Sequence, residues 1–400
     1  MHPACGWEQL GLVLTPSTAR HFPGGERDKS FWGMVDKATH STPPRADRGV
    51  RNRGSLPKES GRPPIVRTGP IPVARDRPAL RRNFAALDLG TNNCRLLIAR
   101  PDGPRFTVVD AFSRIVRLGE GLAATGAISD AAMDRALSAL SVCADKLVRR
   151  NVHMARSVAT EACRRAANGA EFVERVYRET GIKLDIISPQ EEARLAVLGC
   201  HALLEEGNGP ALIFDIGGGS TELVLVDTSS GQLQTLDWRS IPWGVVSLSE
   251  SVPHDSRDPE ARRVAYARMR DQVLESLGNF SGILGQAAAA ECRLLGTSGT
   301  VTTLASVYLG LAHYERRQVD GLRVDVAAMR EICAVLADQS VPERALQPCI
   351  GPERADLVVA GCAILETIFD IWPAHRVGVA DRGIREGILR QLMASAGAPQ

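Results

Sequence analysis

A loop that occurs twice constrains this chain more than any other feature. Residues 84–110 read FAALDLGTNNCRLLIARPDGPRFTVVD, and residues 214–237 read FDIGGGSTELVLVDTSSGQLQTLD. Aligned on Asp88 and Asp215, both copies run Asp, an aliphatic residue, Gly, small polar residues and a four-residue aliphatic stretch. Each then has a turn ending in Gly (Gly103, Gly231) and reaches an Asp 22 residues after the first, at Asp110 and Asp237. One strand–hairpin unit used twice implies two like halves that can face each other across a cleft and grip an anion from both sides.

The rest of the pattern agrees. From residue 83 onward, strand-like and helix-like segments alternate in two runs that begin alike, which predicts an α/β protein with two domains from duplication. The expected division is a first domain over 83–206, a second over 207–394 and a short tail over 395–400. Residues 1–82 are different in kind. They hold 11 of the 23 prolines and 15 Lys/Arg against 7 Asp/Glu, with no sustained apolar period, so they read as a disordered basic, Pro-rich extension. The remaining 33 basic and 39 acidic residues give the body of the chain a net charge of −6. The basic extension could bind nucleic acid or polyphosphate, but a solvated tail is the simpler reading, and nucleic acid is not an expected partner. No apolar run is long enough for a signal peptide or a membrane span. The nine cysteines are scattered without a CxxC spacing, as in a reducing, cytoplasmic setting.

A glycine directly after a buried strand lets the backbone turn tightly and leaves N–H groups for an anion. Gly90, followed by Thr91, Asn92 and Asn93, does this once. Gly217, Gly218 and Gly219, followed by Ser220 and Thr221, do it again. A third hydroxyl-rich turn, Gly296-Thr297-Ser298-Gly299-Thr300, sits at a strand-to-helix junction. Neither a Walker loop nor a Rossmann fingerprint occurs. Asp88 and Asp215 end their strands where the loops begin, and a carboxylate beside phosphate calls for a cation between them, which implies Mg²⁺. Glu222, seven residues after Asp215, is placed to complete that coordination; in the first copy its counterpart is Arg95.

Helix physics separates Glu191 from Glu192. With Ser188 as N-cap and Pro189 at the first helical position, Glu191 falls where a capping box would fold it back on the Ser188 amide. Glu192 then points about 100° away, free to enter the cleft and deprotonate a water. Arg164 lies one helical turn after Thr160, so both can face one anion, and Arg382 and Arg385 are further cations near the end of the chain.

The segments AALDLGTNNCRLLIA, IVRLGEGL, VATEACRRAANG, IISPQEEARLAVLG, IFDIGGGSTELVLV, LLGTSGTVTTLA, RADLVVAGCAIL and VADRGIREGIL resemble, in order, the motif series of the exopolyphosphatase/guanosine pentaphosphate phosphohydrolase (Ppx/GppA) family. The resemblance covers about residues 83–394. It implies the duplicated actin-like ATPase fold (sugar kinase/actin, ribonuclease H-like) and Mg²⁺-dependent hydrolysis of terminal phosphoric anhydride bonds in inorganic polyphosphate or pppGpp, the alarmone of the stringent response. It further implies Glu192 as the catalytic base, Asp215 and Glu222 as the motif acids, and Thr160 with Arg164 as the family's TxxxR. A homodimer is a family-based expectation. The chain resembles the short form, without the additional C-terminal helical domain, and Asn93 stands where the family commonly has Ser. Two other activities fit the same residues: phosphotransfer between polyphosphate and a nucleotide, and alarmone binding with little turnover.

Overall fold

The two copies of the repeat become two equivalent three-stranded units. The computed structural model describes residues 82–103, 105–207, 209–229, 233–278 and 292–397. The extension read over residues 1–82, except Arg82, lies outside the described residues, as do Gly231 and residues 398–400. In the first lobe β1 (Asn83–Leu89) pairs antiparallel with β2 (Asn93–Asp102), which pairs antiparallel with β3 (Arg105–Ile115). In the second, β6 (Pro210–Ile216), β7 (Thr221–Asp227) and β8 (Gln234–Ile241) repeat the arrangement. Parallel strands β4 (Val152–Ala159) and β5 (Leu184–Ile186) extend the first sheet, giving the order β3-β2-β1-β4-β5. In the second sheet β9 (Arg293–Thr297) and β11 (Arg376–Ala380) occupy the places of β4 and β5. There β10 (Arg323–Asp325) adds an antiparallel edge, for the order β8-β7-β6-β9-β11-β10.

The central strands explain why the copies read alike. β1 and β6 show the same run of four consecutive buried residues, the pattern of strands covered on both faces. Their registers also match: Asp88 opposes Arg95, and Asp215 opposes Glu222. The second Asp of each copy is structural. A bulge interrupts each outer ladder at the same place, after Ile98 in the first hairpin and after Leu225 in the second. There Asp110 and Asp237 each accept the next residue's backbone N–H, at 2.9 and 2.8 Å, satisfying a donor that the bulge would otherwise leave unpaired.

Helices cover the sheets. In the first lobe these are α1 (Leu122–Thr125), α2 (Asp130–Arg149), α3 (Glu161–Arg165) and α4 (Gly169–Thr180). The long α2 is capped by Ser129, whose Oγ accepts the Ala132 N–H at 3.3 Å. The second lobe carries α6 (Val245–Ser251), α7 (Pro259–Leu277), α8 (Ser298–Tyr308), α9 (Arg316–Val319), α10 (Val326–Asp338), α11 (Val341–Ala345) and α12 (Val358–Ile371). Among the described residues no helix is long and apolar enough to cross a membrane.

Two helices lie between the sheets. α5 (Pro189–Cys200) places Ala193, Val197 and Cys200 against Ile213, Val224 and Val226 of the second sheet. α13 (Ile384–Ser395), counted with the second half in the sequence, places Ile388, Leu389 and Met393 against Phe84, Ala86, Leu97 and Ala99 of the first sheet. Leu195 of α5 joins that second cluster. The last helix therefore packs on the first sheet and on α5, which is itself laid on the second sheet.

Asp110 supplies a pH test of the bulge. Hydrogen bonds from Lys146 Nζ and Arg150 Nε, both 2.8 Å, lower its carboxyl from the ordinary 3.8 to about 2. A depressed folded value means that the charged form contributes stability above about pH 4, and that the contribution disappears as pH falls toward 2. Asp110→Asn should lower the melting temperature by several degrees at pH 7, with the difference from wild type shrinking below pH 4; a difference independent of pH would contradict the assignment.

Candidate functional site

The glycine loops of the two copies meet. Gly90 N–H bonds Asn93 O at 2.9 Å and Gly217 N–H bonds Ser220 O at 3.0 Å, the same turn in each copy. A Cβ on Gly218 would lie 2.9 Å from Thr91 Cβ, and one on Gly219 would lie 2.7 Å from Thr91 Oγ1, so any side chain at these glycines would push the loops apart. The N–H groups of Thr91, Asn92, Gly218 and Gly219 bond to no other described residue, which leaves backbone donors from both lobes for an anion. A third wall comes from the Thr297–Thr300 turn at the N-terminus of α8, whose first-turn N–H groups and dipole add to the same field. Ser298 there holds a left-handed backbone (φ 86°), fixed by its Oγ donating to Ile216 O at 2.6 Å.

Most of the expected residues converge on one cleft. Its lining includes Asp88, Gly90, Thr91, Asn92, Asn93, Arg95, Glu192, Asp215, Gly217, Gly218, Gly219, Ser220, Thr297, Ser298, Gly299 and Thr300. Four others stand behind it. Thr221 Oγ1 donates to Trp243 O at 2.7 Å. Gly296 is a packing glycine, where a Cβ would lie 2.7 Å from the Phe214 ring. Glu222 is buried, with Oε1 accepting from Ser220 Oγ at 2.7 Å and Ser240 Oγ at 2.9 Å. Arg164 is occupied by protein groups: it donates to Ile187 O at 2.6 Å, to Glu192 Oε2 at 3.2 Å from both terminal nitrogens, and to Glu161. Its place is beside the carboxylates, where the sequence expected a phosphate contact.

The capping box at α5 also departs from expectation. Ser188 Oγ accepts the Glu191 N–H at 3.2 Å, but the Glu191 carboxylate turns outward to Arg156 Nη1 at 2.9 Å and Arg194 Nε at 2.7 Å. Charge-assisted bonds to two guanidiniums outweigh a single backbone amide, and they hold the Glu191 carboxyl below its ordinary range, with Arg194 the larger cause. Glu192 faces the opposite way and is 7% exposed.

Burial raises the Glu192 carboxyl well above the ordinary carboxylate range. Glu222, Asp88 and Asp215 add to the shift, and Arg164 opposes it. Burial likewise lifts Asp215 to about 6 and Glu222 to about 7, and it raises Asp88 against the pull of Arg95 and Arg385. Four acids gathered out of water raise one another's cost of ionisation. Asp88 Oδ1 is buried without a hydrogen-bond partner among the described residues, so an uncompensated oxygen faces this region. The described residues contain no group of three His, Cys, Asp or Glu side chains able to hold a metal ion. The expected ligand set Asp88, Asp215 and Glu222 is therefore not assembled as a protein cage. Asp88 and Asp215, both in the lining, do fit a hard cation completed by phosphate oxygens and water, the manner in which Mg²⁺ is usually held.

Sequence reasoning missed Arg354, Thr303 and Glu161, which also line the cleft. Arg354 donates to Thr303 Oγ1 at 3.1 Å. It lies within the RADLVVAGCAIL segment, but no spacing ties it to loops more than a hundred residues earlier. Arg382 and Arg385 both reach the lining, and Arg382 Nε donates to Asp320 at 2.8 Å.

The model of the Ppx/GppA phosphatase family matches residues 97–396. The chain is 31% identical over 295 residues to exopolyphosphatase 2 of Mycobacterium tuberculosis, covering 71% of this chain and 89% of that one. It is 29% identical to a guanosine-5'-triphosphate,3'-diphosphate pyrophosphatase of Aeromonas salmonicida, covering 78% of this chain but only 59% of that protein's length. A crystal structure of the Aquifex aeolicus member of the Ppx/GppA family superimposes with a TM-score of 0.64 at 26% identity, over 79% of this chain and 98% of that one. The duplicated sheets are accordingly those of the actin-like ATPase fold.

Glu192 is held in the cleft by a close helix crossing. A Cβ on Gly387 of α13 would lie 2.1 Å from Leu195 O of α5, and one on Gly199 would lie 2.0 Å from Gly383 O. Gly387→Ala should therefore destabilise the protein by about 1–3 kcal/mol, despite the roughly 1 kcal/mol by which alanine favours a helix interior. Urea unfolding at or above wild-type stability would contradict the contact.

Proposed function

The chain belongs to the Ppx/GppA phosphatase family, and from that premise we propose that it is a hydrolase of phosphoric anhydride bonds. It releases orthophosphate from the ends of inorganic polyphosphate, or converts pppGpp to ppGpp. One observation carries the reading: the buried Glu192 carboxylate opens into a cleft walled by two facing glycine loops. In this account the loop amides hold the terminal phosphoryl oxygens, and Arg95 and Arg354 bring positive charge to the same group. Glu192 takes a proton from water as the water oxygen bonds to the terminal phosphorus. The anhydride P–O bond breaks on the opposite side, the electron pair leaves with the shortened chain, and Glu192 returns its proton to solvent. A carboxyl lifted by burial is a stronger base than an exposed one. Arg164, bonded to Glu192 Oε2, orients that carboxylate and opposes part of the upward shift that burial imposes.

Members of this family are generally divalent-metal dependent. In the proposed enzyme Asp88 and Asp215 hold Mg²⁺, and when bound it neutralises charge on the phosphate oxygens. Glu222 acts from behind: held by Ser220 and Ser240, it adds to the upward shift of the Glu192 carboxyl. The same reading makes the enzyme cytoplasmic and open to dimer formation.

Glu192→Gln keeps the shape and removes the base. Phosphate release from tripolyphosphate or pppGpp should fall by about 10²–10⁴-fold, while calorimetric binding of the same compound persists. Near-wild-type release would remove Glu192 from the mechanism. New nucleoside triphosphate in place of free phosphate, with ADP present, would show phosphotransfer instead.

A further inference from the structure

Arg117 joins the two lobes beside the cleft, bonding Asn92 on one side and Asp356 on the other. We propose that it is a positioning residue whose bridge to Asp356 draws the two lobes together and sets Arg354 against the bound phosphate. The proposal rests on the phosphoryl reading of the cleft given above.

On the first lobe, the Arg117 N–H donates to Asn92 O at 3.1 Å, beside the Val116 N–H at 2.8 Å, and the Gly119 N–H donates to Thr91 O at 2.9 Å. The turn at 116–119 is thereby fastened to the first glycine loop. Arg135 of α2 secures it from behind, with Nε donating to Val116 O at 2.8 Å and Nη2 to Arg117 O at 3.1 Å. The Arg117 side chain leaves toward the second lobe. Its Nη1 meets Asp356 Oδ2 at 2.8 Å, while Nη2 meets Asp356 Oδ1 at 3.3 Å and Glu353 O at 3.2 Å. This two-pronged grip is specific to the planar guanidinium. The backbone of Arg117 is left-handed, φ 46°, a region that a long side chain rarely occupies and that tends to be kept where geometry serves function.

Asp356 lies two residues from Arg354, which lines the cleft. The same short turn is held from within its own lobe by fully buried Arg344, which donates to Ala355 O at 2.7 Å. Arg344 and Thr303 fix the turn inside the second lobe, and Arg117 aligns it with the first glycine loop. A second bond across the same rim, Gly121 N–H to Glu250 Oε1 at 2.8 Å, supports the alignment. The Arg117 and Asp356 side chains are 32% and 40% exposed, so the pair adds little stability as an ion pair. That exposure suits a contact that breaks to admit a chain end and re-forms around it.

Steady-state kinetics on tripolyphosphate, with small-angle scattering of the ligand-free proteins, tests the clamp. Arg117→Ala and Asp356→Arg should each raise KM more than they lower kcat, reducing kcat/KM roughly tenfold, and should enlarge the radius of gyration. The exchanged pair R117D/D356R should regain most of both, since Asp also tolerates the left-handed backbone; a merely structural pair would not produce this rescue with melting temperature unchanged. A wild-type KM and radius in Arg117→Ala, or a folded exchanged pair no better than either single variant, would overturn the proposal. If the wild type releases phosphate from neither tripolyphosphate nor pppGpp, the functional reading fails. The scattering comparison still decides the clamp in that case, since an unchanged radius in Arg117→Ala overturns it.

Discussion

The site depends on how closely two helices approach. α5 and α13 cross with backbone against backbone at Gly387 over Leu195 and at Gly199 beside Gly383, a separation that a methyl group at either glycine would forbid. α5 lays its other face on the second sheet, while α13 lies on the first. Through this crossing the helix that bears Glu192 is tied to both lobes at once. Its carboxylate enters the cleft at a fixed place relative to the loops of each copy. A base carried on one lobe alone would shift with every change in the angle between them.

Around that crossing, duplication supplies the binding and asymmetry supplies the chemistry. The two hairpins share strand burial, loop hydrogen bonds, bulge position and even the Asp that closes the bulge. They differ at the register position opposite the first Asp, Arg95 in one copy and Glu222 in the other. One loop therefore brings a cation to the cleft, and the other backs its aspartate with a buried acid. Burial of four carboxylates in this region is costly. Arg164, Arg95 and Arg385 offset part of the cost, and the remainder favours arrival of a cation together with phosphate.

The fold was legible because its evidence is local and periodic. The repeat exposed the duplication, and Ser188 marked its helix start correctly. The glycine loops, Asp88, Asp215 and Glu192 could be found from position along a strand or helix. What was not legible depends on partners distant in sequence. Glu191 is drawn out of its capping box by Arg156, 35 residues away, and Arg164 is engaged by Glu192, 28 residues away. Glu222 withdraws behind the lining because two serines hold it. Arg354 enters the cleft only because the second lobe folds its turn over α8. Spacing along a chain cannot report which of several nearby charges a guanidinium will choose.

The central claim is that water held by Glu192 attacks the terminal phosphorus. Hydrolysis of tripolyphosphate or pppGpp in ¹⁸O-enriched water tests it directly, with mass spectrometry of both products. The account predicts one solvent oxygen in each released orthophosphate and none in the remaining chain or nucleotide. Label in the remaining chain or nucleotide, or released orthophosphate without label, would contradict it.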